Sequence, residues 1–274
     1  MVLKKFANKS FVTRTLSGIV LVALMLATII PGGKILFGAN LLISLIGVYE
    51  LYKVLGIEKK TVGITGYVAL ISYYVLVYLD KNDKMMILMV VFLICLLAQY
   101  VLMFPTYQTE QISNAIMCML YAGVMLSYLY CVRSGPNGAY TVWLIFLCSW
   151  GSDTCAYLAG VAFGKHKMAP VLSPKKSIEG AVGGVIGAAA LCAGYAAIFS
   201  DKISMSVSPV LAFAMIGAGG VLISMVGDLA ASAIKRNHEI KDYGTLIPGH
   251  GGIMDRFDSV IYVAPIIWIL LQIF

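Results

Sequence analysis

Nine apolar runs divide the chain, at 15–31, 35–55, 62–79, 85–104, 112–130, 138–163, 178–199, 209–234 and 257–274. Each is continuous rather than alternating, and most have the roughly 17–25 residues with which a helix crosses a bilayer core. A helix satisfies its own backbone hydrogen bonds in lipid, whereas spanning strands need short alternating segments closed into a barrel. The pattern predicts an all-α polytopic membrane protein with about nine transmembrane helices. The polar stretches between runs differ in kind. Those at 31–34 and 80–84 are short turns, while 164–177 and 235–256 are longer and rich in Lys, Asp, His and Gly. The helices from 138 onward also carry more Gly, Ser and Asp than the first five. Residues 1–131 therefore read as a transmembrane scaffold and 132–274 as the working region of one continuous membrane unit.

Composition agrees. The 274 residues are 60% hydrophobic and 12% charged, against about 25% charged in soluble domains. The net charge is +7. In a membrane protein such an excess reports orientation and anionic headgroups. No basic stripe interleaved with aromatics argues for nucleic acid. Nine spans put the termini on opposite sides. The N-terminal side collects 15 Lys and Arg residues and the other side 5, so the positive-inside rule places the N-terminus and the 235–256 loop in the cytoplasm. The first run ends at Pro31-Gly32-Gly33-Lys34 without a small-x-small cleavage site, and reads as an uncleaved helix. Five of the six cysteines lie well within apolar runs and none forms a CxxC pair. They read as packing residues, without a disulfide framework or a zinc site.

Acids inside the spans carry the candidate chemistry, because a central Asp costs about 2.5–3.5 kcal/mol on insertion scales and needs a partner, water or a metal. Asp153 lies roughly 15 Å, and Asp228 roughly 9 Å, from the cytoplasmic end of its helix at 1.5 Å per residue. Ser224, Asp228 and Ser232 are spaced by four and share one helix face. Glu50, beside Tyr49, Tyr52 and Lys53, reads as a structural pair or an interfacial residue. Asp255 and Asp258, three apart at the start of the last run, also share a face. Carboxylates so placed repel one another unless a cation intervenes, and Mg²⁺ takes a few carboxylates with water and substrate phosphates. A helix cap explains one of these acids but not both.

The loops supply cations and turns. Pro248-Gly249-His250-Gly251-Gly252 precedes the last helix, where glycines and a helix N-terminus let backbone N–H groups approach an anion. In Ser173-Pro174-Lys175-Lys176-Ser177-Ile178-Glu179-Gly180, Ser-Pro starts a turn and Ser177 is a helix cap. Gly180, Gly183, Gly184 and Gly187 then permit close helix packing, which would bring Lys175, Lys176 and Ser177 toward the other cytoplasmic loop.

One stretch is specific. Ser232-x-Ile234-Lys235-Arg236-x4-Lys241-Asp242-x-Gly244-x2-Ile247-Pro248-x-His250-Gly251-Gly252-x2-Asp255-Arg256-x-Asp258 resembles the signature of the phosphatidate cytidylyltransferase (CDP-diacylglycerol synthase) family. Ser152-Asp153 and the Ser-Pro-Lys-Lys-Ser-x-Glu-Gly loop extend the likeness over roughly the last 130 residues. Ser177 stands where Thr is common in the family, with the hydroxyl kept. The resemblance implies transfer of the cytidylyl group of CTP to phosphatidate in a bacterial plasma membrane, with the active site facing the cytoplasm. It implies Mg²⁺ held by Asp228 and Asp258, a K⁺ beside it, and a homodimer. On that footing Asp255 and Lys241 join the catalytic set. Lys175, Lys176, Ser177, Ser224, Ser232, Lys235, Arg236, His250, Gly251, Gly252 and Arg256 become phosphate contacts. Asp153 and Glu179 become candidates for orienting a lysine or binding a second cation. Two other readings remain at this point: a membrane transferase or kinase acting on polyprenyl or other lipid phosphates, and an ion-coupled transporter using Asp153 and Asp228.

Overall fold

The computed structural model describes residues 9–274; Lys4 and Lys5, part of the N-terminal basic cluster, lie outside them. Among the described residues nine long helices follow one another. They are α1 (Lys9–Ile29), α2 (Gly33–Val54), α3 (Thr61–Tyr78), α4 (Met85–Leu102), α5 (Thr109–Ser134), α6 (Gly138–Phe163), α7 (Ile178–Phe199), α8 (Pro209–Asn237) and α9 (Met254–Leu271). Each corresponds to one apolar run of the sequence. Helices α2 to α8 are long and apolar enough to cross a membrane. Helix α1 contributes the apolar stretch Thr15–Ile29, and α9 opens with three charged residues, Asp255, Arg256 and Asp258. Large apolar side chains stand on the outside, among them Val101 at 72%, Val161 at 71% and Met86 at 73% exposure. So much exposed apolar surface suits lipid rather than water.

Two departures from a purely helical chain matter for the site. Lys167–Ala169 (β1) and Ser173–Ser177 (β2) form an antiparallel hairpin, with Lys167 opposite Ser177 and Ala169 opposite Ser173. Ser173-Pro174 therefore starts a strand rather than a turn. A two-stranded ribbon tolerates Pro174 because no further strand needs its N–H. The second departure is a π-helical turn in α6 at Leu147–Gly151, directly before Ser152 and Asp153. Such turns widen a helix locally and recur at functional sites. A similar turn occupies Met119–Val124 in α5.

The chain forms two compact units. One runs to Ser127 and takes in Asp242–Arg256; the other holds Tyr128–Lys241 and Phe257–Phe274. Helix α9 thus starts in the first and continues in the second. The first unit is tied by buried polar bonds as well as apolar packing. Tyr52 Oη donates to the Ala115 carbonyl at 2.9 Å, Asn40 Nδ2 to the Leu126 carbonyl at 3.0 Å, and the Ser44 and Tyr74 hydroxyls pair at 2.5 Å. The second unit is built on small residues. A Cβ placed on Gly183 would sit 2.2 Å from Ala159 Cβ, and one on Gly187 2.5 Å from Cys155 Sγ. Helices α6 and α7 therefore touch nearly backbone to backbone, as the glycine spacing predicts. Gly217 meets Cys192 and Gly220 meets Cys148 in the same way, which gives two of the cysteines their packing role.

Candidate active site

In the second unit the hairpin delivers a lysine to the α8 acid. Strand β2 runs straight into α7, and Ser177 Oγ accepts the Gly180 N–H at 3.1 Å, the predicted cap. Lys176, at the end of β2, forms an ion pair with Asp228 Oδ2. Both side chains are about one quarter exposed, at 27% each. Asp228 is not isolated. Asp153 on α6 feels Lys176 and Asp228, and Asp258 on α9 feels Asp228, Asp153 and Lys235. Three acids from three helices thus share one electrostatic neighbourhood with two lysines. Asp258 is 8% exposed, and its Oδ1 accepts the Ser259 N–H at 2.8 Å. Ser224, one turn before Asp228, is buried at 2%.

Two cavities flank this neighbourhood. A cavity of about 230 Å³ is lined by Ser173, Lys175, Ser232, Lys235, Arg236 and Lys241. Four cations and two hydroxyls in that space suit a multiply charged phosphate chain. They come from β2, the last two turns of α8 and the residues after it, so of the three residues that glycine packing was expected to bring toward the other loop, Lys175 shares a cavity with its start. A second cavity of about 270 Å³ is lined by Asp153, Lys175, Lys176 and Ser177 together with Ala156, Val161, Ala181 and Met225. Lys175 belongs to both. The second cavity pairs cations with apolar residues of α6, α7 and α8, and so suits an anionic group on a hydrocarbon stem.

The remaining candidates make other contacts. Glu179 faces His166, with Oε1 2.6 Å from Nδ1, and its Oε2 accepts the Lys165 N–H at 3.0 Å. It fastens the start of the hairpin to α7. Asp255, His250, Gly251, Gly252 and Arg256 belong to the first unit. There Asp255 Oδ2 accepts the N–H groups of Tyr243 at 2.8 Å and Gly252 at 2.9 Å. The Ser17 hydroxyl lies 2.7 Å from His250 Nδ1 and donates to the Pro248 carbonyl at 3.0 Å. From sequence, Glu50 reads as a structural pair or an interfacial residue. It is 4% exposed, and its Oε1 and Oε2 accept the Ile253 and Met254 N–H groups at 3.0 and 2.9 Å. The N–H groups at the start of α9, expected to cradle an anion, therefore meet carboxylates of this chain at Gly252, Ile253 and Met254. The in-span position of Glu50 was its only sequence signal.

Among the described residues no three His, Cys, Asp or Glu side chains converge into a ready cage for a metal ion. Asp228 and Asp258, within electrostatic reach of each other, provide the carboxylate number that Mg²⁺ takes when phosphates and water complete its shell. Two carboxylates suit a hard cation that takes its remaining ligands from elsewhere.

Apolar helices that bring a buried Asp258 and a part-exposed Asp228 into the reach of Lys176 and Lys235 suit a membrane enzyme that handles phosphate groups. The chain belongs to the Cytidylyltransferase family, whose model matches residues 12–274, and is thereby a nucleotidyltransferase. Its similar relatives are named phosphatidate cytidylyltransferases. The protein from Bacillus subtilis (strain 168) is 32% identical over 273 residues, covering 95% of this chain and 97% of its own length. The one from Staphylococcus haemolyticus (strain JCSC1435) is 33% identical over 263 residues, covering 94% and 98%.

Proposed function

We propose that the chain transfers the cytidylyl group of CTP to phosphatidate, releasing pyrophosphate and forming CDP-diacylglycerol for phospholipid synthesis. One observation carries this reading beyond family membership. A cavity whose charged lining is all cationic and a second, half-apolar one share Lys175, and the second is lined by Asp153 and by Lys176, the partner of Asp228. That is a place for a polyanion from water next to a place for an anionic lipid.

A phosphate oxygen of phosphatidate attacks the α-phosphorus of CTP. The bond from that phosphorus to the bridging oxygen breaks, and pyrophosphate leaves with the bonding pair. The attacking oxygen is already anionic, so no strong base is required. The barrier is repulsion between two polyanions, which charge neutralisation and in-line positioning lower. Lys175, Lys235, Arg236 and Lys241 hold the nucleotide phosphates, with Ser232 as a further donor. Lys176 meets the lipid phosphate, and Asp153 and Asp228 keep its ammonium in place until substrate arrives. Asp228 and Asp258 would hold Mg²⁺, which when bound would neutralise charge developing on the phosphate oxygens. Asp255 acts by holding the 243–252 loop. Nine spans with the N-terminus in the cytoplasm of a bacterial plasma membrane, a K⁺ near the acids and a homodimer complete the proposal. This orientation, supported by the 15-to-5 bias of Lys and Arg, turns both loops toward CTP.

The test is product analysis with the purified chain in liposomes. CTP labelled at its α-phosphate is supplied with phosphatidate or with polyprenyl phosphate, with and without Mg²⁺. Label should enter CDP-diacylglycerol only with phosphatidate and Mg²⁺. Label on polyprenyl phosphate, or solute flux without nucleotide turnover, would overturn the proposal.

A further inference from the structure

The geometry points to Glu50 as a positioning residue for the reaction: through the first turn of α9 it sets the placement of Asp258. The inference rests on the proposed role of Asp258, but the clamp itself is geometric. Glu50 sits in α2, 203 residues before its partners, and is 4% exposed. Each carboxylate oxygen takes one N–H, from Ile253 and from Met254. These are among the donors that a helix leaves without intrahelical partners at its start, and a carboxylate there also opposes the helix dipole favourably. Two bonds to successive N–H groups fix both the position and the rotation of the helix start. Asp258 follows Met254 by four residues on that helix, one turn further along.

Two of the three glycines of the signature, Gly244 and Gly252, are explained by the same carboxylate. A Cβ on Gly244 would lie 2.4 Å from Glu50 Oε1, and a Cβ on Gly252 would lie 2.4 Å from both oxygens. Gly251 has φ +87°, and its Cβ would fall 2.7 Å from Asp255 Oδ2. The loop from Tyr243 to Gly252 is therefore shaped around two buried carboxylates of this chain. Asp255 locks the loop on itself, through Tyr243 and Gly252, while Glu50 locks the helix start to α2. In this arrangement Glu50 touches no substrate and acts only through the α9 backbone.

The experiment uses the full chain in lipid nanodiscs and two readouts. Hydrogen exchange at the Ile253 and Met254 amides reports the clamp directly. The Mg²⁺ concentration for half-maximal CDP-diacylglycerol formation reports Asp258. In the wild-type chain both amides should exchange slowly; fast exchange there overturns the inference without any variant. Glu50→Gln puts an NH₂ group against one of the two donors. It should speed exchange at one amide about tenfold, the scale of a lost charge-assisted bond, and raise the Mg²⁺ requirement by a similar factor. Glu50→Asp keeps the charge but shortens the reach, and should move both readouts less. Glu110→Gln, an exposed charge change at the start of α5, should move neither. If Glu50→Gln fails to fold, Glu50→Asp decides. Unchanged exchange and unchanged Mg²⁺ requirement in a folded Glu50 variant sink the inference. A wild-type chain with slow amides but no CDP-diacylglycerol product would fail the proposed function and leave the clamp intact.

Discussion

Replacing Lys176 with Met removes an ammonium while keeping most of the side-chain length. In the folded chain Lys176 pairs with Asp228, and each side chain is 27% exposed. Exposed pairs contribute about 0.2–1 kcal/mol, and breaking a fully buried pair costs about 3–5 kcal/mol. One-quarter exposure puts this pair between those limits, at about 2 kcal/mol. Lys176→Met should cost more than the pair is worth, because Asp228 then faces Asp153 and Asp258 with one cation fewer. Asp228→Asn made on top of Lys176→Met removes the stranded charge and should recover part of the loss. The assay is a double-mutant cycle of Lys176→Met, Asp228→Asn and their combination, with unfolding free energies measured in detergent without Mg²⁺. A coupling energy of about 2 kcal/mol is expected. Additivity within about 0.5 kcal/mol, the level found for independent sites, would refute the pairing and with it the delivery of Lys176 by the hairpin.

Two further outcomes follow from packing and capping. Gly183→Ala puts a methyl group 2.2 Å from Ala159 Cβ, and should cost about 1–3 kcal/mol as overpacking; adding Ala159→Gly should restore most of it in the same unfolding assay. Ser177→Ala removes the acceptor of the Gly180 N–H and should cost about 0.5–2 kcal/mol, while Ser177→Thr keeps the hydroxyl and should lose less.

The helices were legible because each apolar run is long enough to span and is bounded by charged or glycine-rich turns, and all nine runs recur as helices α1–α9. The glycine spacing of α7 and the Ser177 cap were legible for the same reason: both are short-range patterns with a direct steric or hydrogen-bonding cause. The hairpin was not. Lys167–Ala169 and Ser173–Ser177 are short and polar and include Pro174, so neither the alternation nor the residue preference of a strand is present. The π turn ahead of Asp153 left no signal either, since Leu, Cys, Ser, Trp and Gly all occur commonly in membrane helices. Asp255 illustrates a different limit. Its spacing from Asp258 correctly puts both on one helix, but spacing says nothing of which bonds each carboxylate makes. Asp255 is taken by Tyr243 and Gly252. Glu50 is the extreme case, for a contact across 203 residues has no local pattern to reveal it.

The central claim is that Asp228 and Asp258 together hold the ion that lets CTP and phosphatidate meet. It is tested most directly by turnover of Asp228→Asn and Asp258→Asn as a function of Mg²⁺, beside a check that each variant stays folded in detergent. The account predicts that each variant remains folded and forms no CDP-diacylglycerol at any Mg²⁺ concentration. Near-normal, Mg²⁺-dependent turnover in either one would contradict it.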